Sequence, residues 1–249
     1  MPLPTAYIVF SSREHRSRFV AGRFAAYLRG SVLDVGCYEA PLRDTLGAAS
    51  YVGVDIAGRP DIRLNLEDIE RLPFDDDAFD TVLCADVLEH LDNLHAIFDE
   101  LVRVSRRHVI VSLPNCWNIA RQRIEKGAGC IAHSGLPPDR PLDRHKWFFN
   151  LAEARDFFHA KAERLGLEVE DMFVTEKPRS PILRTLRKIL YPGERYQNRY
   201  SCTIWTVLRK PRLSPEHEDG TSLGECPHPA TRPHSWRQTT PRAVTSPDP

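Results

Sequence analysis

The feature that most restricts how this chain can fold is an alternation. Short runs rich in Val, Ile and Leu recur between segments in which apolar residues return every three to four positions. Ser31 to Val35, Tyr51 to Asp55, about Ile62 to Asn65, Asp80 to Ala85 and His108 to Leu113 read as strands. Between the last two, Leu94, Ile97, Phe98 and Leu101 recur at i, i+3, i+4 and i+7 and predict a helix over about 93–105. An earlier amphipathic helix is predicted from the stripe Val20, Phe24, Tyr27 and Leu28. A later one spans NLAEARDFFHAKAERLG, with Asn150 as N-cap, Glu153 at the capping-box position and Gly166 as the stop. Two strands, about Leu167 to Thr175 and Ser201 to Leu208, close the domain, with the basic apolar helix PILRTLRKIL between them. Such alternation predicts an α/β fold built on a doubly wound, Rossmann-like sheet.

The 249 residues suit one domain with appendages. We divide them into an N-terminal helical cap (1–30), a main domain (31–210) and a tail (211–249). The main domain carries an irregular insertion at 114–145, rich in Gly and Pro, and a helical insertion at 178–198. The tail is rich in Pro, Ser, Thr and His and nearly empty of large aliphatics, so it is expected to be disordered. Lys plus Arg equals Asp plus Glu, 34 of each, so no overall field points to nucleic acid. The six cysteines show no C-x-x-C pair and no zinc-like spacing with histidine, so no metal is expected and reduced, packed thiols are. No run reaches the ~20 apolar residues of a membrane span, and the expected location is cytoplasmic.

In an open α/β sheet the ligand lies beyond the carboxyl ends of the strands, where strand order reverses. The stretch after the first such strand, VLDVGCYEAPL, keeps only Gly36 of the three glycines a dinucleotide turn uses; Tyr38 and Ala40 stand in place of two others. Glu39 adds a negative charge where a pyrophosphate would rest, which disfavours NAD and FAD. A cationic cofactor without phosphate tolerates the same turn.

At this point the sequence resembles the class I S-adenosylmethionine (SAM)-dependent methyltransferases. VLDVGC is similar to that family's first motif, YVGVDIAG to its second, LNLEDIERLPFDDDAFD to its third and FDTVLCADVLEHL to its fourth, and SLPN closes the fifth strand. LVRVSRRHVIVSLPN followed by DRHKWFFNLAEA is similar to the type 11 group, including MetW-like proteins. The resemblance implies about seven strands with the last antiparallel, and SAM as cofactor. It places Asp34, Gly36, Cys37, Tyr38, Asp55, Ile56, Asp68, Ile69, Asp86 and Val87 around that cofactor. Asp55 would accept the ribose hydroxyls, and Asp68 the adenine amino group under the cover of Ile69.

On the acceptor side, His90 and His145 are the candidate general bases, and Asn115, His133, Arg144 and Trp147 the candidate substrate contacts. The expected acceptor is a small molecule or a glycan- or lipid-linked intermediate. The strand ends lack the N-P-P-Y or D-P-P-Y run of base amino methylation, which argues against nucleic acid. The helix at 181–190 is basic and amphipathic: it either packs its apolar face on the domain or rests on the inner face of a membrane. The alternative to an enzyme is a methyltransferase-fold protein that binds a ligand or partner without catalysis, with Tyr38 narrowing the slot.

Overall fold

The computed structural model of the protein describes residues 2–46, 50–139, 141 and 143–211; beyond residue 211 the predicted tail lies outside the described residues. In chain order the elements are β1 (Thr5–Tyr7), α1 (Arg13–Arg23), β2 (Ser31–Val35), α2 (Pro41–Leu46), β3 (Ser50–Asp55), β4 (Ile62–Arg63), β5 (Phe79–Ala85), α3 (Leu94–Val104) and β6 (Ser105–Pro114). These are followed by α4 (Cys116–Lys126), α5 (Leu151–Leu165), β7 (Glu168–Glu176), α6 (Pro181–Leu190), α7 (Glu194–Tyr200) and β8 (Ser201–Arg209).

The eight strands form one sheet in the order β1-β7-β8-β6-β5-β2-β3-β4. β2 to β6 pair in parallel, as crossover helices require, whereas β8 runs antiparallel between β6 and β7. From β2 the chain winds outward through β3 to β4, then returns to β5 on the other side of β2. Strand order therefore reverses between β2 and β5, and a crevice opens beyond Val35 and Ala85.

Side chains alternate between the two faces of the buried strands. Leu33 and Val35 join Phe98, Leu101 and Phe158 on the face covered by α3 and α5. Val32, Leu83 and Ile110 join Val20, Phe24, Phe173 and Trp205 on the face covered by α1. Trp205 stacks in parallel on Phe173 and meets the Phe24 ring at 5.6 Å. The stripe read from the sequence is thus buried at Val20, Phe24 and Leu28, although the helix itself ends at Arg23 and continues as turns. Its start is earlier than the stripe suggests, because the Ser12 side chain accepts the His15 N–H.

Two expectations need correction. The N-terminal segment is more than a helical cap: Thr5–Tyr7 pairs in parallel with Val174–Glu176 and adds an eighth strand at the sheet edge. The insertion at 114–145 is not irregular throughout, because α4 fills its first third. Asn115 caps that helix by accepting the Asn118 N–H, and Gly127 ends it at φ 59°. Both signals stand in the sequence, masked by the Gly and Pro that follow.

α5 shows the local code at its clearest. The Asn150 side chain accepts the N–H groups of Ala152 and Glu153 while Glu153 accepts that of Asn150, and Gly166 closes the helix in the left-handed region. Asn150→Ala removes the cap, and its Tm in thermal unfolding should fall by an amount equivalent to about 1 to 2 kcal/mol.

Candidate functional site

The turn that leaves β2 is held shut against the turn that leaves β5. Gly36 has φ 81°, and a Cβ there would lie 2.1 Å from Val87 Cγ2, so only glycine fits. Its N–H donates to the Val54 carbonyl at 2.8 Å. Tyr38 and Ala40 also adopt positive φ, both near 50°, a region that strains residues other than glycine. The Tyr38 ring stands at the rim of the crevice beneath the Arg13 guanidinium, 4.1 Å from the ring centre. Glu39 does not enter the crevice as the sequence suggested; it turns outward to Arg59 at 3.1 Å.

Carboxylates from other strand ends supply the negative charge instead. Asp55 ends β3 and accepts the N–H groups of Tyr38 and Ala57 at 2.8 and 2.9 Å, and both it and the exposed Ile56 line the crevice. Asp86, at φ 54° beyond β5, accepts the Ser112 hydroxyl at 2.6 Å and the Arg16 guanidinium at 2.9 Å. Asp34 sits one layer deeper, below a small secondary cavity between α1 and β2 that Cys37 shares. Its carboxylate accepts the Tyr51 hydroxyl at 2.7 Å, and burial raises its pKa to about 6. Burial likewise pushes the Cys37 thiol up to about 12, so it packs as a neutral group.

The third predicted segment is displaced by a few residues. Asp68 is exposed and accepts the Asn65 side-chain amide at 2.7 Å, and Ile69 packs toward the core; neither lines the crevice. Asn65, Leu66 and Glu67 line it instead, because β4 stops at Arg63 and a 3₁₀ turn at Leu66–Asp68 rotates the chain. Only the Asn65 cap on that turn signals the change in the sequence.

At its far end the crevice meets a group of imidazoles. His90 follows β5, while His133 and His145 come from the insertion and stack on each other with ring centres 5.0 Å apart. The His90 ring lies edge-on, 4.8 Å from His145. His90 Nδ1 donates to the Arg144 carbonyl at 3.1 Å and faces Asp143 Oδ1 at 2.5 Å. Glu89 lies beneath these rings, 1% exposed, and burial first and Asp86 second push its carboxyl well above the ordinary range. His145 is lowered to about 4 by burial and by the neighbouring His90 and His133.

Three predicted acceptor contacts fall elsewhere. Asn115 is spent on structure: its side-chain oxygen caps α4 and its amide donates to the Asn198 and Ser201 carbonyls at 2.9 Å. Trp147 Nε1 donates to the Leu91 carbonyl at 2.7 Å, which docks the segment rather than an acceptor. Arg144 is exposed, and only its carbonyl reaches the histidine group. Sequence reasoning also missed Phe10, Arg13 and Arg16, which line the crevice from the N-terminal segment and α1. No motif marks them. The whole cleft has a volume of about 770 Å³ and runs from Tyr38 and Asp55 past Asp86 to His133 and His145.

Residues 33–113 match the family model described as a methyltransferase domain. Residues 33–113 form a methyltransferase domain, on a sheet with the class I methyltransferase fold. A SAM-dependent methyltransferase from Archaeoglobus fulgidus is similar to it in fold, with 15% identity, a TM-score of 0.54, and coverage of 81% of this chain and 96% of that one. The small RNA methyltransferase HEN1 aligns at 18% identity and a TM-score of 0.52, over 84% of this chain but 27% of its own. No curated protein matches the chain. The cleft fits the SAM that the sequence resemblance implies: Gly36 lets the turn close tightly at the switch point, and Asp55 and Asp86 line the cleft with carboxylates.

Asp34 generates a pH prediction. Its folded-state pKa is raised from 3.8 to about 6, so the methyltransferase domain is favoured below pH 4 by this group and loses that contribution as pH rises through 6. Above pH 6 the contribution lost amounts to roughly 3 kcal/mol. Asp34→Asn should flatten the pH dependence of Tm between pH 4 and 6 relative to the parent chain.

Proposed function

We propose that the domain methylates a small-molecule, glycan- or lipid-linked acceptor bound at the histidine end of the cleft. The reading rests on one observation: a cleft that begins at an acid-lined strand switch and ends, without interruption, at His90, His133 and His145. When bound, SAM supplies an activated methyl group on a sulfonium. The chain's part is then to orient the acceptor, exclude water and accept a proton. Asp55 is assigned to the ribose hydroxyls, Asn65 to Glu67 to the adenine side, and Gly36, Asp86 and Val87 to the methionine side. Tyr38 and Ile56 bound the slot at its rim.

His90 suits proton acceptance because its Nδ1–H is engaged by the Arg144 carbonyl and Asp143, which leaves the Nε2 lone pair facing inward. His145 is held neutral near pH 7 by the same burial and crowding that lower its pKa. Isothermal titration should show binding of SAM and S-adenosylhomocysteine and none of NADH; NADH binding without SAM binding would overturn the assignment. Asp55→Ala should weaken SAM binding by about 1.5 to 3 kcal/mol through loss of charge-assisted bonds. Affinity equal to the parent's would remove Asp55 from the ribose site.

A lipid-linked acceptor is favoured by α6. Its orientation is the reverse of an ordinary packed amphipathic helix. Arg184, Arg187 and Lys188 lie over the rings of Tyr7, Tyr200 and Tyr196, while Ile182, Ile189 and Leu190 are 71–76% exposed on the outside. α6 leaves the carboxyl end of β7, which runs in the same direction as β6, so it starts at the same end of the strands as the cleft. No helix among the described residues is long and apolar enough to cross a membrane, and we assign α6 to contact with the cytoplasmic membrane face. The protein should float with liposomes containing anionic lipid, and Ile182→Ser with Ile189→Ser should abolish flotation. A dimer that dissociates on the same substitutions, with no flotation, would assign the face to a second copy instead.

A further inference from the structure

Glu89, His90 and His145 converge in a way that their sequence spacing conceals. One ligand atom from each lies within 4.8 Å of the other two. Glu89 Oε1 is 3.7 Å from His90 Nε2 and 4.0 Å from His145 Nε2. Both distances are too long for a hydrogen bond and leave three electron-rich atoms facing a common point. Two ligands about 2.1 Å from a tetrahedral ion lie about 3.4 Å apart, so small side-chain rotations close the set around a cation.

The surroundings are those of a supported site. Glu89 is 1% exposed, and its Oε2 has no hydrogen-bond partner among the described residues. A buried, unpartnered carboxylate oxygen is costly unless something compensates it. His90 is fixed from behind, with Nδ1–H on the Arg144 carbonyl and beside the Asp143 carboxylate, which orients Nε2 inward. His145 is fixed by its backbone N–H on the His133 carbonyl at 2.8 Å, by the His133 ring stacked on it, and by Cys116 Sγ 3.7 Å from its Nδ1. Glu89, His90 and His145 all border the open cleft, so positions remain for water or an acceptor oxygen.

We propose that Glu89, His90 and His145 bind one first-row divalent cation, of the zinc or manganese class, at the acceptor end of the cleft. Two imidazoles and one carboxylate suit such ions better than calcium, which takes six to eight oxygens. Calling this the acceptor end rests on the proposed methyl transfer; the binding of the cation does not. With the ion present, the two imidazoles act on the acceptor through it, as ligands, and an acceptor hydroxyl loses its proton more readily beside the positive charge.

The test uses the full chain, stripped with EDTA and dialysed, then titrated with Mn²⁺ while the paramagnetic resonance of the free ion is followed, and with Zn²⁺ against a chromophoric chelator. The expected result is one high-affinity equivalent per chain, with nitrogen hyperfine couplings from two imidazoles on bound Mn²⁺. Glu89→Gln and His145→Ala should each weaken binding by at least tenfold. His159→Ala, on the exposed side of α5, should leave it unchanged. Circular dichroism confirms that each variant folds, and the couplings in the parent chain stand even if one variant does not. No binding at millimolar ion, binding undiminished in the Glu89→Gln, His145→Ala double variant, or bound Mn²⁺ without nitrogen couplings would overturn the proposal. SAM affinity measured in parallel separates this failure from failure of the methyltransferase reading.

Discussion

The contact on which the site depends is the meeting of Gly36 with Val87. It joins the turns after β2 and β5 at the one place where the sheet changes winding direction. A hydrogen on Gly36 lets the isopropyl group close over the turn; a methyl would force the two strand ends apart. From that contact the rest of the acid-lined end of the cleft follows. The Asp86 backbone is carried to positive φ, where its carboxylate meets Ser112 and Arg16, and the β2 turn is drawn to within hydrogen-bonding reach of Asp55. The strain at Tyr38 and Ala40 is stored here, offset by bonds from Tyr38 to Asp55 and from Gly36 to Val54.

What was legible in the sequence is what local periodicity and caps encode. β2, α3, α5 and β8 fall within a residue or two of where their patterns place them, because burial on one or both faces leaves a clear repeat. The extra strand β1 was not legible: three residues have no periodicity, and their pairing partner lies about 170 positions away. α4 was hidden by the company of glycines and prolines. Asp55, Asp86 and Val87 line the cleft, where the strand ends place them. Asp68 fails because a 3₁₀ turn decides which side chain faces the crevice, and one residue of rotation moves the carboxylate outside. Asn115 fails because a side chain that caps a helix and crosslinks to α7 looks, in one dimension, like a polar group awaiting a ligand.

Charge tells a related story. Equal numbers of acids and bases predict no field, yet the fold sorts them: bases of α6 are turned onto tyrosine faces, where ring quadrupoles replace water, and acids gather beyond β3 and β5. The histidine group is sorted in the same manner. His90 and His145 are 55 positions apart, and their approach is imposed by Lys146 N–H on the Glu89 carbonyl and by Trp147 on that of Leu91, which pin the insertion to the turn after β5. Spacing rules for metal ligands presuppose a short loop or a single helix and do not reach a set assembled this way.

The central place of β8 has a consequence for how the molecule is made. It separates β6 from β7, and β7 in turn carries β1, whose neighbour Leu3 exchanges two hydrogen bonds with Gln197. During synthesis the first segment must therefore wait until residue 209 has left the ribosome before the sheet edge is complete. Until then Ile110 and its neighbours on β6 present an unpaired apolar border. Such long-range closure makes folding slow and leaves that border exposed until β8 docks.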